Sequence, residues 1–166
     1  PMDKMETLYD AIMEAGEEFG IANFGTYTMN SLRMEKADKG WGSELTTEIT
    51  PMEAGLERFV DFSKCFLGRE ATLSRKLLGV NTKLVYVSVK TADSDCLGNE
   101  TVLNPEAPSG ENIIGVTTSG AYGHTVSQSM AFAYVQPKFA EPGTKFEIRV
   151  LGHNCSATVL KEAAYD

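Results

Sequence analysis

TKLVYVSV, residues 82–89, decides the architecture of this chain. Val85, Val87 and Val89 fall on one side of an extended backbone and Leu84, Tyr86 and Ser88 on the other, the two-residue period of a β-strand. Four further strands are expected downstream, over residues 112–118, 128–135, 144–151 and 154–160. In the third of these Phe146, Ile148 and Val150 alternate with Lys145, Glu147 and Arg149, so one face is dry and the other wet. Turn residues separate the runs: Asn104-Pro105 to Gly110, Gly120 to Gly123, Glu141-Pro142-Gly143 and Gly152. Short strands with regular turns favour a small antiparallel barrel or sandwich.

Upstream of Thr82 the pattern is different. Met5, Leu8, Ile12 and Phe19 recur at helical spacing with acidic residues between them, which predicts an amphipathic helix. Asp3 and Glu6 suit a capping-box start, and Gly20 suits the end. A second helix is expected over about 27–36, with Met29 and Leu32 on one side, before Gly40-Trp41-Gly42 breaks the pattern. An imperfect alternation predicts a strand over 56–63, and Arg69 to Leu77 predicts a short helix stopped by Gly79. The fold class is therefore α+β, with a boundary near 79–82 between a mixed segment and an all-β module. No low-complexity linker lies there, so the two parts are expected to pack together.

With 166 residues, 42% of them hydrophobic, the chain can bury one substantial core or two small ones sharing an interface. The 23 acidic residues outnumber the 15 basic ones, and the resulting charge of −8 repels polyanions, which argues against a nucleic-acid partner. No apolar run approaches the roughly 20 residues of a membrane-spanning helix. Cys65, Cys96 and Cys155 are scattered and odd in number, so reduced thiols are expected. His124 and His153 lack any ligand spacing, and no metal site is expected. Gly115, Gly120 and Gly123 form no phosphate-binding fingerprint, and no dinucleotide-binding βαβ unit is visible.

The most distinctive text is SLRMEKADKGWGSELTTEITPMEAGLERF, residues 31–59. It contains Arg33-x-Glu35, the Trp41-Gly42 step, Thr50-Pro51 and Glu53-Ala54-Gly55-Leu56. FLGREA follows at 66–71, then LGNETVL at 97–103 and TTSGAYGHTVSQSMAFAYV at 117–135. In this order the motifs resemble the glycine-cleavage T-protein (aminomethyltransferase) family over nearly the whole chain. They are closest to the C-terminal folate-binding region of its dimethylglycine and sarcosine dehydrogenase branch.

The resemblance implies that residues 1–79 are the C-terminal part of a folate-binding aminomethyltransferase domain and that residues 80–166 are the family's C-terminal antiparallel β-barrel. It implies a tetrahydrofolate-binding part of a one-carbon transferase, as in dimethylglycine or sarcosine dehydrogenase. The chain is expected to be incomplete for catalysis, without a catalytic residue of its own and in need of a missing N-terminal half or a partner subunit. FAD is expected only in that missing region. The compartment implied is the cytoplasm, or the mitochondrial matrix if the source is eukaryotic.

Three residues receive binding roles by resemblance. The pterin offers adjacent N–H donors, and a carboxylate accepts two of them in one plane, so the family's pterin-contacting glutamate falls on Glu35. Lys64 takes the place of a basic residue expected to meet folate, and Trp41 that of an aromatic wall of the pocket. Spacing alone would make Glu35 a solvated helix carboxylate, Lys64 a surface lysine and Trp41 a core residue. His124 is expected to stabilise a turn or to lie exposed rather than to act in catalysis, and Tyr165 is not equated with a family tyrosine near the C-terminus, because AAYD lacks the usual proline-aromatic tail. A non-catalytic regulatory relative acting through protein contacts and a purely structural barrel are the alternatives.

Overall fold

In a computed structural model, residues 1–108, 110 and 112–165 are described. Ser109, inside the expected 104–110 turn, lies outside them, as does Asp166 of the AAYD tail. The alternation that opens the barrel becomes β1, Lys83–Val89. It is followed by β2 (Thr101–Leu103), β3 (Ile113–Gly123), β4 (Gln128–Val135), β5 (Lys145–Val150) and β6 (His153–Val159). All pairings are antiparallel, and the strands close in the order β1-β4-β3-β2-β5-β6, with β6 back on β1. Closure gives every strand a partner on both sides.

The barrel is filled by the inward side chains that the period-two pattern marked. Val85, Val87 and Val89 meet Phe146, Ile148 and Val150, with Ala131, Ala133 and Val135 from β4. β4 is buried almost along its whole length on both faces. Its small residues Ala131 and Ala133 enter the barrel, while Met130 and Phe132 join Met34 and Tyr86 in a second cluster outside it. That outer cluster is where the preceding segment docks.

The segment supplies three helices: α1 (Met5–Gly16), α2 (Thr26–Glu35) and α3 (Arg69–Leu78). After α1 a single 3-10 turn, Glu17–Phe19, ends at Gly20 in the left-handed conformation that glycine tolerates. The expected capping box does not form, because a short 3-10 turn over Met2–Lys4 makes Lys4 the cap residue and no side chain caps α1.

Two further expectations are corrected. Residues 56–63 form no strand: Phe59 N–H bonds Leu56 O at 3.0 Å and Val60 N–H bonds Glu57 O at 3.0 Å, so the local 3-10 turn Glu57–Phe59 takes the donors a ladder would need. β2 went unread because three residues are too few to show a period. Gly120 and Gly123 are strand residues rather than turn residues, and β3 continues through both. Close approach explains them: a Cβ on Gly120 would sit 2.6 Å from Cys96 O, and one on Gly123 would sit 2.9 Å from Glu35 Cγ.

Candidate functional site

The site begins with the way α2 is stitched along β3. Asn30 Nδ2 donates to Gly120 O at 3.1 Å, Ser31 Oγ to Tyr122 O at 2.6 Å, and Tyr86 Oη to Met34 O at 2.7 Å. These bonds fix the rotation of the helix, so its last residue, Glu35, turns inward and is only 2% exposed. Glu35 Oε1 accepts the Thr125 N–H of the β3–β4 turn at 2.7 Å. Oε2 accepts no hydrogen bond from any described residue and keeps an opening to solvent.

Glu35 also lines a cleft of about 180 Å³, together with Tyr27, Thr28, Ser31, Leu32, His124 and Thr125. Thr28, Ser31, Leu32 and Glu35 share one helix face through spacings of three and four residues. His124 reaches the same cleft from the turn, with its ring edge-on to Tyr122 at 5.2 Å between centroids. The helical spacing was readable in the sequence. The meeting of that face with a turn some 90 residues later was not.

A second carboxylate holds this frame and gave no signal in the sequence. Glu44 is fully buried. Its Oε2 accepts Arg33 Nη1 at 3.1 Å and Gly40 N–H at 2.7 Å, and its Oε1 accepts Thr118 Oγ1 at 2.7 Å and Ser119 Oγ at 2.5 Å. Its carbonyl accepts Tyr134 Oη at 2.8 Å. Every acceptor direction of the carboxylate is used, so Glu44 is a structural tie between the Trp41 loop, α2 and β3 with no capacity left for a ligand.

The other two predicted residues lie away from Glu35. Lys64 is exposed, pairs with Asp61 at 3.5 Å and lines a different depression formed by residues 63–71. Trp41 is 76% exposed, lies outside the Glu35 cleft and forms an isolated bridge with Leu45. The core-packing alternative for Trp41 is therefore set aside. Tyr165 lies beside the site: its N–H donates to Glu35 O at 3.0 Å, and Lys36 Nζ stands 5.4 Å from its ring centre.

Comparison with known proteins agrees with this architecture. Residues 1–64 match the GCVT N-terminal domain, and residues 83–166 match the glycine cleavage T-protein C-terminal barrel domain. Dimethylglycine dehydrogenase, mitochondrial, from Mus musculus is 43% identical over 158 residues, covering 94% of this chain and 18% of its own length. An aminomethyltransferase from Alkaliphilus oremlandii is 30% identical over 164 residues, covering 98% of this chain and 43% of its own length. The crystal structure of glycine cleavage system aminomethyltransferase T from Bartonella henselae superposes with a TM-score of 0.80 at 24% identity, covering 97% of this chain and 44% of that one, and shows the same fold. The chain thus spans less than half the length of these relatives, and by its matched barrel domain it belongs to the glycine cleavage T-protein family.

Proposed function

We propose that this chain is the part of a folate-dependent one-carbon transferase that grips the pterin ring of tetrahydrofolate, with Glu35 as the gripping residue. One observation carries the reading: a buried carboxylate that lines a small cleft is pinned through one oxygen to the Thr125 amide and has no donor from the described residues on the other. A pterin edge presents N–H donors in one plane, and an ionised carboxylate bonds such donors more strongly than a neutral acceptor does. Pinning by Thr125 means that little rotamer entropy is lost when the ring arrives.

The cleft fits this role as one wall of a pocket. Sites for drug-sized ligands usually span about 300–1,000 Å³, and about 180 Å³ accommodates the edge of a ring system and not a whole folate. Tyr27 and Leu32 supply apolar contact beside the carboxylate, and His124 lies across from them. Bound tetrahydrofolate would supply the nitrogens that take up a one-carbon unit. The residues of this chain orient the ring and are not assigned any bond-making step.

The apolar surface of the preceding segment supports the view that further chain or a partner subunit completes the pocket. Met5, Leu8, Ile12, Phe19, Phe24, Tyr27, Met29 and Leu32 are all exposed. FAD belongs, in this reading, to the region that these residues do not include. Since the mouse relative's name places it in mitochondria, the matrix is the compartment we assign for a eukaryotic source.

Calorimetric titration of tetrahydrofolate into the chain tests the assignment. Saturable binding is expected, and Glu35→Gln, which keeps an oxygen for the Thr125 amide but loses the charge, should weaken it at least about tenfold. Equal binding by wild type and variant would remove Glu35 from the site. No binding by the wild type would reject a folate role for these residues alone.

A further inference from the structure

A second cleft, of about 280 Å³, shares no residue with the one at Glu35. Its walls come from the segment between α2 and Gly55, from β1 and β4, and from the tail after β6. Lys39, Lys161 and Glu162 are its charged lining, and Leu84, Tyr86, Phe132 and Leu160 belong to its apolar lining. Lys161 is already paired, with Glu162 at 3.2 Å. Lys39 is not: among the described residues no carboxylate lies within 4.0 Å of its ammonium.

The surroundings make that unpaired cation unusual for an acidic chain. Burial pushes the Lys39 ammonium below the ordinary lysine range, and the Arg58 guanidinium pushes it the same way. Asp38 and Glu44 oppose the shift, but Glu44 already has four hydrogen-bond donors of its own. An adjoining depression shares Gly55 with the cleft and adds Arg58 and Lys83 to the same neighbourhood. Four basic side chains thus line two hollows that share Gly55, against the two carboxylates Glu57 and Glu162, in a protein of charge −8. A partly desolvated charge without a partner is costly, and a bound anion removes that cost.

We propose that the cleft between Lys39 and the Leu84–Phe132–Leu160 wall binds a small organic anion, with its charged group on Lys39 and its apolar body against the wall. The volume, just under the usual range for ligand cavities of about 300–1,000 Å³, sets the size at roughly one ring or a short branched chain. The proposal is independent of folate binding at Glu35.

Benzoate is the probe that combines both features. Titrated into the full chain and followed by the amide resonances of Gly55 and Leu160, it should saturate at about 1–10 mM. Benzyl alcohol, with the ring and no charge, and inorganic phosphate, with charge and no ring, should each bind at least about tenfold more weakly. Lys39→Met should weaken benzoate about tenfold, Lys39→Arg should restore it to within a few-fold, and Lys161→Met should change it less than about twofold. Failure of benzoate to saturate, or equal affinity in Lys39→Met with its spectrum still dispersed, would overturn the assignment. Phosphate binding as tightly as benzoate would overturn the apolar half of it.

Discussion

Glu44 and Glu35, two carboxylates of one loop-and-helix segment, differ in how fully their oxygens are hydrogen-bonded. Four donors enclose Glu44, which leaves it inert toward ligands and makes it costly to lose, because Arg33 is 19% exposed and must then be rehydrated beside the buried Ser119 hydroxyl and the half-buried Thr118 hydroxyl. Breaking a buried ion pair by deleting one partner costs about 3–5 kcal/mol, and the access Arg33 already has to water places Glu44→Ala near about 3 kcal/mol. Urea unfolding of the variant checks this, and a loss under about 1 kcal/mol would show that the tie is not structural. Glu35, with one oxygen free, should cost much less to change. The sequence offered Glu35 through the Arg-x-Glu motif, whereas Glu44 in GSEL has the local setting of any surface glutamate. Its burial arises only when α2 and the Trp41 loop fold against Thr118 and Ser119, contacts more than 70 residues away in the chain.

At the scale of elements, the interface of α2 with β1 and β4 depends on a neutral phenol. Burial pushes Tyr86 up to about 12 from its ordinary 10, and the nearby Glu35 carboxylate pushes it the same way. Burial likewise raises the Cys96 thiol from 9.0 to about 12, with Glu100 adding to the effect. In both cases the unfolded chain releases its proton first, so between the two values the native state holds more protons than the unfolded one. Stability from these groups is therefore complete below about pH 9 and falls as pH rises toward about 12. Thermal unfolding midpoints across that range should decline, and Tyr86→Phe should decline less steeply above about pH 10 while starting lower by the lost bond to Met34 O, about 1 kcal/mol. Parallel slopes in the two proteins would contradict the role given to Tyr86. Elements with a clear period were legible: the 82–89 alternation became β1, and 128–135 became β4 with the same bounds. Residues 56–63 misled because Phe59 and Val60 satisfy their amides locally, so an apolar-polar alternation there has no neighbouring strand to face. Glycines 120 and 123 misled in the other direction, since tight packing of a strand against Cys96 and Glu35 selects the same residue type as a turn does.

At the scale of the whole molecule, order is expected to be uneven. The barrel closes on itself around an apolar core, and α2 is bound to it by side-chain hydrogen bonds, whereas α1 touches little beyond the 3-10 turns at its own two ends. No residue of α1 is buried, and Met5, Leu8 and Ile12 on its apolar stripe are each at least half exposed. An isolated helix of 12 residues is marginal in water, since nucleation is unfavourable and tertiary packing supplies most helical stability. Backbone amides exchange through the smallest opening that frees them, so those of α1 should exchange through local fraying and those of β4, buried on both faces, only through global unfolding. Hydrogen exchange on the full chain should accordingly give β4 protection that tracks the urea-derived stability, with α1 unprotected by several orders of magnitude relative to it. If the α1 amides were protected to the level of β4, that helix would have to be packed in solution, against a second copy or against the chain itself, and its exposed stripe would no longer support a pocket completed by residues beyond these.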